Sequence, residues 1–159
     1  MRRFCCVLLL LLTLALPAYA GLELSTDHRW LFFGVMQLGD EKALADFGTY
    51  HNQITCSSNS GNPWYLKINL LGPLSLGQES IPLENFKWQL AWTNGAGSTT
   101  AGYQFRAFTL FPDLVYTSAA SEAAGGGITF QFKYFLKIPQ TQLSGTYNTT
   151  LRFTLTEIL

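Results

Sequence analysis

The run "ITFQFKYFLKI", Ile128 to Ile138, alternates apolar and mostly polar residues over eleven positions. Successive side chains of a strand point to opposite faces, so this run reads as a long, half-buried β-strand. Ile128, Phe130, Phe132, Tyr134, Leu136 and Ile138 would share one face, against Thr129, Gln131, Lys133 and Lys137. A helix would scatter those six side chains around its circumference. A chain carrying such a strand must cover its apolar face with a second layer.

Three further runs keep the same period. In "WYLKINL" Trp64, Leu66, Ile68 and Leu70 face one way, and Tyr65, Lys67 and Asn69 the other. In "FKWQLAW" Phe86, Trp88, Leu90 and Trp92 share the apolar face. The last run places Tyr147, Leu151, Phe153 and Leu155 inward, with Asn148, Thr150, Arg152, Thr154 and Thr156 outward. Weaker strand patterns lie at Trp30 to Val35, Tyr50 to Cys56 and Tyr103 to Phe111.

Stretches rich in Gly, Pro, Asn and Ser separate these runs, among them "SSNSGNP", "TNGAGSTTAG" and "SEAAGGG". Only "GDEKALADFG" tolerates a helix, as one short helix or a loop. No crossover helices are available for a parallel sheet. About seven strands with one wet face each predict an all-β fold, an antiparallel two-sheet Ig-like sandwich. No fixed-period repeat or linker divides it.

The first twenty residues follow a different pattern. Arg2 and Arg3 precede an apolar run from Phe4 to Leu16, then Pro17-Ala18-Tyr19-Ala20. A positive start, a short apolar core and small residues before a cleavage point predict a signal peptide over 1–20. About 13 apolar residues are too few to span a bilayer, which takes roughly 20. Cys5 and Cys6 fall inside this leader, and neither follows a lipoprotein-type sequence. The expected location is secreted: extracellular, cell surface or periplasm.

Removing twenty of 159 residues leaves 139, Gly21 to Leu159, as a single sandwich domain. Eight basic residues then face ten acidic ones, a net charge of −2. Nucleic-acid binding needs clustered Lys and Arg, and no such cluster is visible. No membrane span is expected after cleavage. Cys56 becomes the lone cysteine, either a buried core residue or an intermolecular thiol.

Chemistry is harder to find. The chain has no G-x-S-x-G elbow, no H-E-x-x-H and no Walker loop. His28 and His51, its two histidines, lack further zinc ligands at recognisable spacing and read as exposed loop residues. His51 and Cys56 lie five apart, on opposite faces of one strand. The acids are scattered through loops. We therefore expect no catalytic residues, no metal and no cofactor. Trp64, Trp88 and Trp92 read as core. Exposed sugar contacts are sought instead at Tyr65 and Phe135, which occupy polar faces, with Tyr103 and Tyr116 as further candidates.

Several stretches carry a family resemblance. An early Phe-Gly in "FGVMQLGDEKALADFG", the W-x-L-x-I strand at Trp64, Leu66 and Ile68, and the closing "GTYNTTLRFTL" resemble the bacterial cell-surface WxL domain. Phe153-Thr154-Leu155 stands where that family has a second Trp-x-Leu. The same ending is similar to spore-coat-U-like and chaperone–usher pilus subunits. The resemblance implies a surface sandwich, with Trp64, Leu66, Tyr147, Phe153 and Leu155 as structural motif residues. It implies partners that are other surface subunits, copies of itself, or cell-wall glycan.

Two functions follow as expectations. The first is a non-enzymatic surface or envelope protein acting by self-assembly or attachment to an envelope structure. Its terminal strand would close a sheet or be engaged by strand addition, and "GLELSTDHRWLF" would cover an edge or be donated to a neighbour. The second is a monomeric carbohydrate- or cell-wall-binding module.

Overall fold

The computed structural model describes residues 21–45, 50–100 and 102–159. The expected leader, with Cys5 and Cys6, lies outside the described residues. Among those described, twelve strands form in the order β1 (Leu22–Thr26), β2 (Glu41–Leu44), β3 (Asn52–Ser58), β4 (Tyr65–Leu70), β5 (Leu74–Leu76), β6 (Glu79–Ile81), β7 (Phe86–Thr93), β8 (Ser98–Thr99), β9 (Arg106–Ala107), β10 (Asp113–Thr117), β11 (Ile128–Lys137) and β12 (Leu151–Thr156). Two 3-10 turns, Leu83–Asn85 and Ala120–Glu122, are the helical elements.

Every pairing is antiparallel. One sheet runs β1-β3-β11-β7-β9, the other β12-β4-β10-β8, and β5-β6 is a separate hairpin. β11 spans the larger sheet. Its first half pairs β3, from Ile128↔Cys56 to Phe132↔Asn52, and its second half pairs β2, from Tyr134↔Leu44 to Lys137↔Glu41. Thus β2 and β3 lie in succession along the same flank of β11, and β1 covers the far side of β3. The long strands β3, β4, β7, β10, β11 and β12 alternate between the two sheets.

The core lies between those sheets, where their apolar faces meet. Phe132 of β11 meets Phe153 of β12 with ring centroids 5.0 Å apart, and Phe130 meets Tyr116 of β10 at 4.9 Å. Trp64, Leu66, Ile68, Leu70, Trp88 and Leu90 are fully buried around these contacts. The result is an all-β, two-sheet antiparallel sandwich with interdigitated aromatic side chains.

Several expectations change. "GDEKALADFG" forms no helix over its described residues: Glu41–Leu44 is β2, recruited by the backbone of β11. Trp30 to Val35 is not a strand but a loop packed on one end of the sandwich. Tyr103 to Phe111 contributes only the two residues of β9. The closing strand begins at Leu151 rather than Tyr147. The Tyr147 hydroxyl instead accepts from Gln142 and donates to the Leu143 carbonyl, folding the preceding loop onto itself.

Trp92 is the largest correction. Gln131 pairs with Trp92 but the next residue, Phe132, pairs with Leu90, so Ala91 is an extra residue in β7. A one-residue bulge reverses which side chains point inward. Trp92 is therefore on the outer face, 46% exposed. A second bulge at Val115 lets Val115 and Tyr116 both reach the core. Asn69, expected outward, is buried because its amide donates to the carbonyls of Leu70 and Leu110, in the loop that covers it.

Candidate functional site

Three places collect side chains with chemistry. The first is a buried carboxylate. Glu122 closes the 3-10 turn Ala120–Glu122, and its side chain reaches back to accept the Ala119 N–H at 2.7 Å, as an acid at the third position of a capped turn does. It also accepts the Ala96 N–H at 2.6 Å. The Tyr116 hydroxyl donates to it, 2.8 Å from both carboxylate oxygens, and accepts the Gly97 N–H.

Burial first, then the bond to Glu122, pushes the Tyr116 hydroxyl well above its ordinary range, so it stays a donor. Gly95 and Gly97 are needed for this approach, because a Cβ on either would collide with the Tyr116 ring and hydroxyl. Trp64 completes the cluster: its indole N–H donates to the Glu122 carbonyl at 3.1 Å, and its ring lies 5.6 Å from that of Tyr116. The cluster ties the β7–β8 turn, β10 and the turn after it into one buried knot. Tyr116, fully buried there, cannot serve as an exposed sugar contact.

The second place is the opposite end of the larger sheet. His51 is buried, against the expectation of an exposed loop histidine, with its ring 6.0 Å from Tyr134 and 5.9 Å from His28. Its Nε2 is 3.3 Å from the Trp30 carbonyl. Tyr134 donates to Asn52 at 2.8 Å, and burial pushes its pKa far upward. Among the described residues no three His, Cys, Asp or Glu side chains group as metal ligands. Cys56 faces the core with Ile54 and is fully buried; the absence of solvent pushes its thiol up to about 12. In the folded chain that position takes it away from any second molecule.

The loop from His28 to Asp40 rests on this end. Leu31, Phe33 and Met36 pack on the core, Phe33 lies 5.8 Å from Phe86, and Lys42 Nζ donates to the Phe33 carbonyl at 2.7 Å. With the loop pinned from below, the alternate side chains point out. Trp30 is 85% exposed, Phe32 80% and Val35 100%, an apolar ridge.

The third place is the outside of the sandwich. Tyr65 is on the outer face of the smaller sheet, between Thr117 and Thr156. Phe135 is on the outer face of the larger sheet, so the two aromatics look in opposite directions and share no platform. Beside Phe135 the outer face carries Phe105, with ring centroids 5.8 Å apart, and Lys87, whose Nζ is 5.7 Å from the Phe135 centroid. One pair along is Lys133 with Gln89, and beyond it Gln131 with Trp92 on one side and Gln53 on the other.

The motif residues Trp64 and Leu66 are fully buried, while Tyr147, Phe153 and Leu155 are partly buried against the core. Sequence reasoning missed Glu122, Trp92 and the ridge. An acid three residues into a turn is a readable signal for the first; nothing in "FKWQLAW" marks the bulge that turns Trp92 out. Comparison of the chain with protein-family models, with curated proteins and with solved structures finds no match in any of the three.

Proposed function

We propose that this chain is a secreted, non-enzymatic surface or envelope protein that acts by assembly, with copies of itself as the first partner. The observation that carries the reading is the ridge of Trp30, Phe32 and Val35, held out on a loop whose other side chains are anchored in the core. Three large apolar side chains this exposed within six residues of one loop point to an interaction site, and aromatic side chains are enriched at protein interfaces. The leader pattern at Arg2 to Ala20 and the resemblance of the Trp64 and Phe153 strands to WxL-type and pilus-type sandwiches support export and a surface role.

A non-catalytic reading is supported by the chemistry of the buried groups. The Glu122 carboxylate is taken up by three donors, and the Tyr116 and Tyr134 hydroxyls are engaged with Glu122 and Asn52. β1 also bears on how assembly works. It pairs with β3 of the same chain from Leu22↔Ser58 to Thr26↔Ile54, so the N-terminal segment covers an edge in cis. Among the described residues no strand pairs the other edge of β12. Assembly through the ridge leaves β1 in place.

Sedimentation velocity over a concentration series, on the processed chain from Gly21, tests the reading. Self-association is expected, with Trp30→Ser plus Phe32→Ser weakening it by about tenfold or more. Reductant should change nothing. A wild-type chain that stays monomeric throughout would overturn it.

A further inference from the structure

The outer face of the larger sheet is unlike an ordinary wet sheet surface. Trp92 is 46% exposed and Phe105 41%, and Phe135 is partly open beside it. Trp92 reaches this face only because β7 carries the extra residue Ala91. Bulges of that kind re-aim side chains and cluster near functional sites. The cross-strand neighbours of these aromatics are mostly amides and lysines, with Ala43 beside Phe135 on the β2 side.

Their order along β11 can be read from the register. Gln131 is flanked by Trp92 and Gln53, Lys133 by Gln89, and Phe135 by Lys87. Residues 131 and 135 are four apart, so Trp92 and the Phe105–Phe135 pair are separated by roughly 13 Å along the strand. Lys133 and Lys87 sit on neighbouring strands in adjoining rows, a diagonal of about 7–8 Å. Among the described residues neither lysine has an acidic partner, whereas Lys137, farther along, is held by Glu41 at 2.7 Å. The Gln131 amide donates to Gln53 at 3.4 Å, and Gln89 donates to the Tyr103 carbonyl. Each of these amides has further donor or acceptor capacity.

We propose that this face binds an acidic oligosaccharide chain, with Trp92 and the Phe105–Phe135 pair as two stacking points and Lys133 and Lys87 as carboxylate partners. A pyranose ring offers an apolar C–H face and a rim of hydroxyls, which matches flat aromatics set among amides. The distance between the stacking points requires a ligand of several sugar units rather than a monosaccharide. Two lysines without acidic partners favour a ligand carrying negative charge, although the processed chain is itself net negative. Single-stranded nucleic acid also stacks on aromatics, but it is held by a basic groove along its backbone. Two lysines on an acidic protein make a poor one. The binding face and the Trp30–Phe32 ridge use different residues, so this proposal goes beyond assembly and does not depend on it.

Affinity electrophoresis of the processed chain, in native gels containing polygalacturonate or neutral dextran, reads the proposal directly. Retardation by polygalacturonate is expected, with at least tenfold less by dextran. Trp92→Ala and Lys133→Gln should each weaken it by about tenfold, while Tyr65→Ala, on the opposite face, should leave it unchanged. The ridge variant W30S/F32S should be retarded as the wild type is, so failure of assembly and failure of glycan binding are separately visible. The folded state of each variant is checked by its urea midpoint. No retardation, equal retardation by dextran, indifference to Trp92→Ala, or tighter binding of a single-stranded oligonucleotide would overturn the proposal.

Discussion

Glu122 and Cys56 show how far single side chains are committed to the core. A buried carboxylate is costly unless its oxygens are satisfied, and here three donors from three segments do so. Glu122→Gln keeps the shape but turns an amide N–H₂ toward N–H donors. It should cost about 2 kcal/mol or more, because bonds to a charged acceptor are each worth about 1.5–3 kcal/mol. Urea unfolding would measure this, with the exposed Glu84→Gln as a control near zero. Cys56 gives a pH signature. Its thiol pKa rises on folding from 9.0 to about 12, so the folded state holds the proton that the unfolded chain loses. That contribution is fully present below pH 9 and is lost as pH rises toward 12. Relative to Cys56→Val, the wild type should lose about 1 kcal/mol between pH 8 and pH 10, read from urea midpoints at each pH. The native thiol should also resist alkylation at pH 8 and react once unfolded.

At the level of elements, period-two alternation located β4, β7 and β11 and assigned most of their inward residues correctly. It failed where phase is set by something other than hydrophobicity. After Ala91 the inner face of β7 changes parity, and Trp92, apolar and in step with Leu90, carries no mark of that change. β2 reads as helix-tolerant because Glu41, Lys42 and Ala43 favour helices in isolation; pairing with Phe135 to Lys137 overrides that preference. Trp30 to Phe33 alternates like a strand, yet its period serves a loop that anchors Leu31 and Phe33 while holding Trp30 and Phe32 out. The four tryptophans make the point measurable. Trp64 and Trp88 are fully buried, while Trp30 and Trp92 are open. Iodide should quench part of the native fluorescence, and Trp30→Phe with Trp92→Phe should remove nearly all of the quenchable part. Loss of all iodide quenching in Trp30→Phe alone, where Trp92 is still present, would contradict the bulge and its outward Trp92.

For the whole molecule, the sandwich class was readable because every long alternating run needs an apolar layer opposite it. The surfaces were not readable, since exposure depends on which loop packs on which end and on the register of neighbouring strands. The buried knot around Glu122 and the pinned 28–40 loop sit at different parts of the same rigid frame. One stabilises; the other presents. The proposed assembly through the ridge can be tested residue by residue, by hydrogen–deuterium exchange on the chain from Gly21 at dilute and at higher concentrations. The account predicts that protection rises with concentration over Trp30 to Met36, with β1 and the β12 edge unchanged. Unchanged exchange in that segment while oligomers form, or protection confined to β12, would contradict it and move assembly to strand addition.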